Sequence, residues 1–119
     1  MNRIAIAVFL TIILAWAGLG FAQIEAEYVK HIQEARHHVT MAVAEGEKSD
    51  ATALVQHAQT GLDHIRAAQK RKSLPDLDKA AQSLEDAISQ GQAGDVEKAT
   101  ARAKESVGYL DATLSGLGG

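Results

Sequence analysis

Residues 31–65 read HIQEARHHVTMAVAEGEKSDATALVQHAQTGLDHI. Two helical patterns flank one turn signal. Before the turn, Ile32, Ala35, Val39, Ala42 and Val43 recur at spacings of three and four, the period of one helix face. After it, Ala51, Val55, Ala58, Leu62 and Ile65 repeat the pattern. Between them lies Gly46-Glu47-Lys48-Ser49, with Gly46 as a C-cap. Asp50 follows as an N-cap. A short connection between two long helices makes them antiparallel neighbours. The stretch is one helical hairpin.

The same reading extends in both directions. The first helix is predicted over Ile24–Glu45, starting from Ile24 and Tyr28 on the same apolar face, and the second over Asp50–Arg71, ending on Ala68. The basic run Lys70-Arg71-Lys72 closes this second helix, where cations complement the helix dipole. Ser73-Leu74-Pro75-Asp76 reads as a new start. Ser73 can cap, and a proline in the first turn costs little because its missing N–H would lack a partner anyway. The third helix carries Leu77, Ala80, Leu84, Ala87 and Ile88 and stops at Gly91. Asp95 caps the fourth, which carries Val96, Ala99, Ala103, Val107, Leu110 and Leu114. The tail Gly116-Leu117-Gly118-Gly119 is expected to fray. The fold class is all-α: an up-down-up-down antiparallel four-helix bundle.

The bundle is two copies of one hairpin. At a spacing of 45 residues Ala35 matches Ala80, Ala42 matches Ala87, Gly46 matches Gly91, Asp50 matches Asp95 and Ala58 matches Ala103. The histidines break the repeat: His31, His38, His57 and His64 correspond to Asp76, Ser83, Arg102 and Tyr109.

Residues 1–22 read as an address. Met1-Asn2-Arg3 is a short basic start, Ile4 to Leu19 is apolar apart from Thr11 and Gly18, and Gly20-Phe21-Ala22 offers small residues before Gln23. That is the pattern of a cleaved secretory signal peptide; an uncleaved anchor is the alternative, since about 20 apolar residues span a bilayer. The expected compartment is the bacterial periplasm, and the mature domain is residues 23–119. With no cysteine there is no disulfide, no lipidation site and no thiolate ligand. Removing Arg3 from 12 basic side chains leaves 11 against 15 acidic ones. Such a balance argues against a nucleic-acid partner, which needs a basic face. The mature helices are neither strongly basic nor aromatic, so a membrane surface is also disfavoured.

The chemistry lies in the histidines. His31 and His38, then His57 and His64, form two pairs seven residues apart. Seven residues are nearly two turns, so each pair lies on one helix face, roughly 10 Å apart along the axis. Folding at the turn sets His38 level with His57, and His31 level with His64. Imidazoles on facing helices are how bundles build metal sites. Glu34 stands between His31 and His38 and can serve either, and His37 is a further exposed candidate. In both helices the histidines flank the core stripe by one residue. The flanks point toward each other, giving a two-rung imidazole ladder, or away, leaving separate His and Glu surface sites. Solvated surface histidines beside a solubilising Glu-rich face are the plain alternative. Neutral imidazole suits Cu(II), Ni(II) and Zn(II), with Cu(II) bound most tightly. One methionine after residue 22 and no thiolate disfavour a dedicated Cu(I) site. No C-x-x-C-H haem motif, nucleotide motif or nucleophile–base arrangement is readable, which disfavours an enzyme.

The chain resembles the small metal-binding protein family over residues 25–115. The residues that carry the likeness are His31-Ile32-Gln33-Glu34-Ala35-Arg36-His37-His38 and His57-Ala58-Gln59-Thr60-Gly61-Leu62-Asp63-His64, with Leu84-Glu85-Asp86-Ala87-Ile88 and Gly91 in the second half. The resemblance implies a periplasmic four-helix bundle that binds divalent metals, copper above all, with His31, His38, His57 and His64 at ligand positions. It also implies that Glu45, Asp50, Ser83, Gln90, Asp95, Arg102 and Tyr109 stand where the family carries histidine. The function expected is metal binding or buffering, preferring Cu(II), on the first hairpin. The alternative is a helical scaffold or interaction module that has lost most of its ligands. The oligomeric state is left open.

Overall fold

The computed structural model describes the backbone of residues 2–118 and the side chains of residues 25–118. The signal-peptide reading of residues 1–22, and the core reading of Ile24, lie outside the described side chains. Four helices follow one another: α1 (Asn2–Glu47), α2 (Ala51–Arg71), α3 (Pro75–Gln92) and α4 (Val96–Gly118). Each packs against two neighbours, α1 and α3 both touching α2 and α4, while the diagonal α2–α4 pair barely meets. This is an all-α four-helix bundle. Among the residues with described side chains, no helix is long and apolar enough to cross a membrane.

Apolar side chains at helical spacing meet along the bundle axis. Among the described residues, Ile32, Leu54, Ile65, Leu77, Leu84 and Leu110 are the largest fully buried apolar residues, with Val39 next. Alanines fill the space between them: Ala35, Ala42, Ala58, Ala80, Ala87, Ala99 and Ala103 are all fully buried. Tyr28 is the one buried aromatic side chain among the described residues, and its hydroxyl donates to the Lys72 carbonyl at 3.0 Å.

The two hairpin turns share their closing hydrogen bonds. Asp50 N–H donates to the Glu45 carbonyl at 2.9 Å, and Asp95 N–H to Gln90 at 2.9 Å. Each aspartate then caps its helix, Asp50 Oδ1 accepting from Ala53 N at 3.0 Å and Asp95 Oδ1 from Lys98 N at 3.1 Å. Satisfying these otherwise orphaned donors starts α2 and α4 where the sequence places them.

The glycines read as stops play another part. α1 runs through Gly46 to Glu47, and α3 runs through Gly91 to Gln92. The left-handed residues sit three further on, at Ser49 (φ 63) and Gly94 (φ 84). Gly46 and Gly91 are buried because neighbouring helices press on them. A Cβ at Gly46 would come 2.0 Å from Thr100 Oγ1, and one at Gly91 2.6 Å from Val55 Cγ2.

Other departures follow from packing. The buried face of α2 includes Leu54 and Gly61, with Ala51 and Val55 only partly covered. In α4 the buried set is Ala99, Thr100, Ala103, Ser106, Leu110 and Thr113, while Val96, Val107 and Leu114 lie at its margin. Three hydroxyls can be buried there because each finds a carbonyl: Ser106 donates to Ala80 at 2.9 Å, Thr100 to Val96 at 2.7 Å and Thr113 to Tyr109 at 2.8 Å. Ser73 does not cap α3, whose N-cap is Leu74 followed by Pro75. Its hydroxyl turns to Asp78 instead, and with Gln69 it holds that carboxyl below the usual carboxylate range. α4 continues to Gly118 without the expected fraying at Gly116.

Gly46→Ala should destabilise the fold by about 1–3 kcal/mol, the usual cost of overpacking, despite alanine's gain of up to about 1 kcal/mol in helix propensity. Adding Thr100→Ala removes the nearest clashing atom and should restore part of the loss. Denaturant unfolding of the two variants checks this; a Gly46→Ala protein as stable as the parent would contradict the close packing of α1 on α4.

Candidate metal site

The site begins with how closely α1 and α2 approach. Gly61 of α2 is buried against α1, where a Cβ would meet Val39 Cγ2 at 2.8 Å and the Ala35 carbonyl oxygen at 3.4 Å. His31, Glu34 and His38 stand on one side of this contact, and His57 and His64 face them from α2. All five are half-buried, whereas His37 is exposed. The two flanks therefore point toward each other.

His31 lies level with His64 and His38 with His57, and a His38–His64 stack joins the two levels into a zigzag. His31 Nδ1 lies 3.2 Å from His64 Nδ1. His64 and His38 are stacked, with centroids 5.7 Å apart and planes at 8°. His38 in turn stacks on His57, at 6.1 Å and 23°. His37 meets only the edge of the His38 ring, with centroids 5.4 Å apart. Glu34, His38 and His64 each bring a ligand atom within 4.8 Å of the others. This triad takes its carboxylate and one imidazole from α1 and the second imidazole from α2.

The donors suit a metal ion. Two nitrogens each about 2.0–2.1 Å from one ion stand about 3 Å apart, close to the His31–His64 separation of 3.2 Å. His38 Nδ1 is buried with no hydrogen-bond partner, and an unsatisfied buried nitrogen is costly unless something binds it. An open cleft of about 450 Å³, lined by Glu27, Lys30, His31, Glu34 and His64, leads to the triad from solvent. Glu27, on the same stripe, is drawn off into an ion pair with Arg71 at 2.8 Å. Arg71 thus pairs across the hairpin as well as closing α2.

The second hairpin keeps the register and changes the chemistry. Lys79 and Tyr109 take the places of Glu34 and His64, and Lys79 Nζ sits 5.8 Å from the Tyr109 ring centroid. Arg102, in the place of His57, pairs with Asp86 at 2.8 Å and with Glu105 at 3.0 Å. Built-in cations occupy this half of the bundle.

A family model described as small metal-binding protein matches residues 1–113. The chain belongs to the small metal-binding protein family. No curated protein matches it. In this chain, all four heptad histidines and Glu34 fall on one seam, and His37 stands beside it. Every residue of the Glu34–His38–His64 triad was legible in the sequence. The cross-helix grouping was not, because helical period places Glu34 between two histidines of its own helix without saying which partner on α2 it faces.

Burial holds the His38 imidazole below the ordinary histidine value, reinforced by His37, His64 and His57 and opposed by Glu34. The neutral ring is thus favoured by folding, while in the unfolded chain it takes up a proton near pH 6.5. The unfolded state then binds more protons, so stability is intact above that value and falls as pH drops through the lower folded value. Thermal melts of chelator-treated protein from pH 7.5 to 5 should show Tm declining on the acid side. His38→Gln should flatten the decline; an unchanged slope in that variant would remove His38 as its cause.

Proposed function

We propose that this chain is an exported, non-catalytic buffer for divalent copper, held in the periplasm as an up-down-up-down bundle with its ion on the α1–α2 seam. The observation that carries the reading is the half-buried cluster in which Glu34, His38 and His64 converge, beside the His31–His64 pair at 3.2 Å. Family membership supports metal as the ligand. Imidazole nitrogen with one carboxylate is a borderline donor set, on which the divalent series rises to a maximum at Cu(II). The opposite order of the contacts along the helices, Glu27 with Arg71 and His31 with His64, supports the antiparallel course. The basic and apolar pattern of residues 1–22 supports export.

The metal is cargo. Its ligands come from two helices, so binding tightens the native state against the unfolded one. The expected gain is about 2.7 kcal/mol at a free metal concentration 100 times Kd. Calorimetric titration should rank Cu(II) above Ni(II) and Zn(II). Changing His31, His38, His57 and His64 together to Ala should abolish the tight phase and the rise in Tm. If that variant binds Cu(II) as the parent does, the assignment fails.

A further inference from the structure

By heptad register, the set His31, Glu34 and His64 recurs along the seam with one donor exchanged. In the upper copy His31 and Glu34, three residues apart on α1, face His64 of α2. One heptad along α1 and one heptad back along α2, the corresponding residues are His38, Met41 and His57. His38 stacks on His57 as expected, with centroids 6.1 Å apart. Met41 is half-buried on this flank of α1.

Two observations put Met41 and His57 at facing register positions. The first is the run of cross-helix neighbours in steps of seven. Glu27 pairs with Arg71 at 2.8 Å, and Glu34 joins His64 in the triad. The next step in this series is Met41 with His57. The second is the repeat. Met41 and His57 correspond to Asp86 and Arg102, and these two touch, Arg102 Nε lying 2.8 Å from Asp86 Oδ2. The second hairpin thus places a cation where the first would hold one between Met41 and His57.

The exchange of carboxylate for thioether changes what the triad prefers. A carboxylate is a hard anionic donor, whereas methionine sulfur is soft and neutral and selects Cu(I) among the metals imidazole also accepts. We propose that His38, Met41 and His57 form a second, soft site for a monovalent d¹⁰ ion, Cu(I), sharing His38 with the Glu34–His38–His64 triad and about 10 Å along the seam from the His31–His64 contact. It rests on reading the seam as a metal site. It also reverses the expectation that one methionine is too few, because two imidazoles join it by register.

The test uses full-length protein, with Ag(I) as a redox-inert soft probe and Cu(II) as the harder one. Met41→Leu conserves volume and is well tolerated in packed positions. It should weaken Ag(I) binding about tenfold or more, since even outer-shell partners of a metal are worth about 10–100-fold. Its Cu(II) isotherm should stay unchanged. Glu34→Gln should do the reverse. Ag(I) should also shift the Met41 methyl resonance in the parent protein. The inference is overturned if Met41→Leu binds Ag(I) as the parent does, or weakens both metals equally. Parent protein that binds Cu(II) and ignores Ag(I) refutes this site alone; parent protein that binds neither refutes the metal reading itself.

Discussion

The close approach of α1 and α2 over small residues is the constraint on which the rest depends. With Gly61 pressed onto Val39 and the Ala35 backbone, the two helices cannot slide or rotate without opening a void or a clash, and packed interiors tolerate neither well. Flanking residues are thereby brought face to face. The histidines themselves contribute little packing. They occupy a seam whose geometry is set by their apolar neighbours one position away.

The same device operates elsewhere. Gly46 admits Thr100 and Gly91 admits Val55, and Ser106 lies fully buried with its hydroxyl on the Ala80 carbonyl. Small residues at crossings replace the large aromatic core that many bundles use. Alanine and glycine bury little area each, at about 25 cal/mol per Å² of apolar surface. They compensate by letting backbones approach and by leaving few alternative packings.

The repeated hairpin shows how one scaffold carries two chemistries. Turn hydrogen bonds, caps and core alanines are common to both halves. On the exposed side of the α3–α4 crossing, Arg102 is neutralised by Asp86 and Lys79 stands over the Tyr109 ring. On the α1–α2 side, imidazoles and a carboxylate converge with one buried nitrogen left over. Exposed ion pairs of the first kind add little to stability. What separates the halves is whether positive charge is built in or admitted.

Period and the two aspartate N-caps were legible in the chain: four helices, two matched turns at Asp50 and Asp95, and the heptad histidines with Glu34 all follow from local spacing, because an α-helix assigns faces by residue number alone. The grouping of Glu34 with His64, the stacking of His38 between His64 and His57, and the close-packing role of Gly46 and Gly91 do not. Each depends on how far one helix is rotated and shifted against another, and that is settled by side-chain volumes at the crossing. Thr100, Ser106 and Thr113 entered the core for the same reason: α4 turned to put small hydroxyls, each with a carbonyl to satisfy it, where the apolar period alone would have put Val96, Val107 and Leu114. Sequence determined which residues share a face; tertiary packing decided which faces meet.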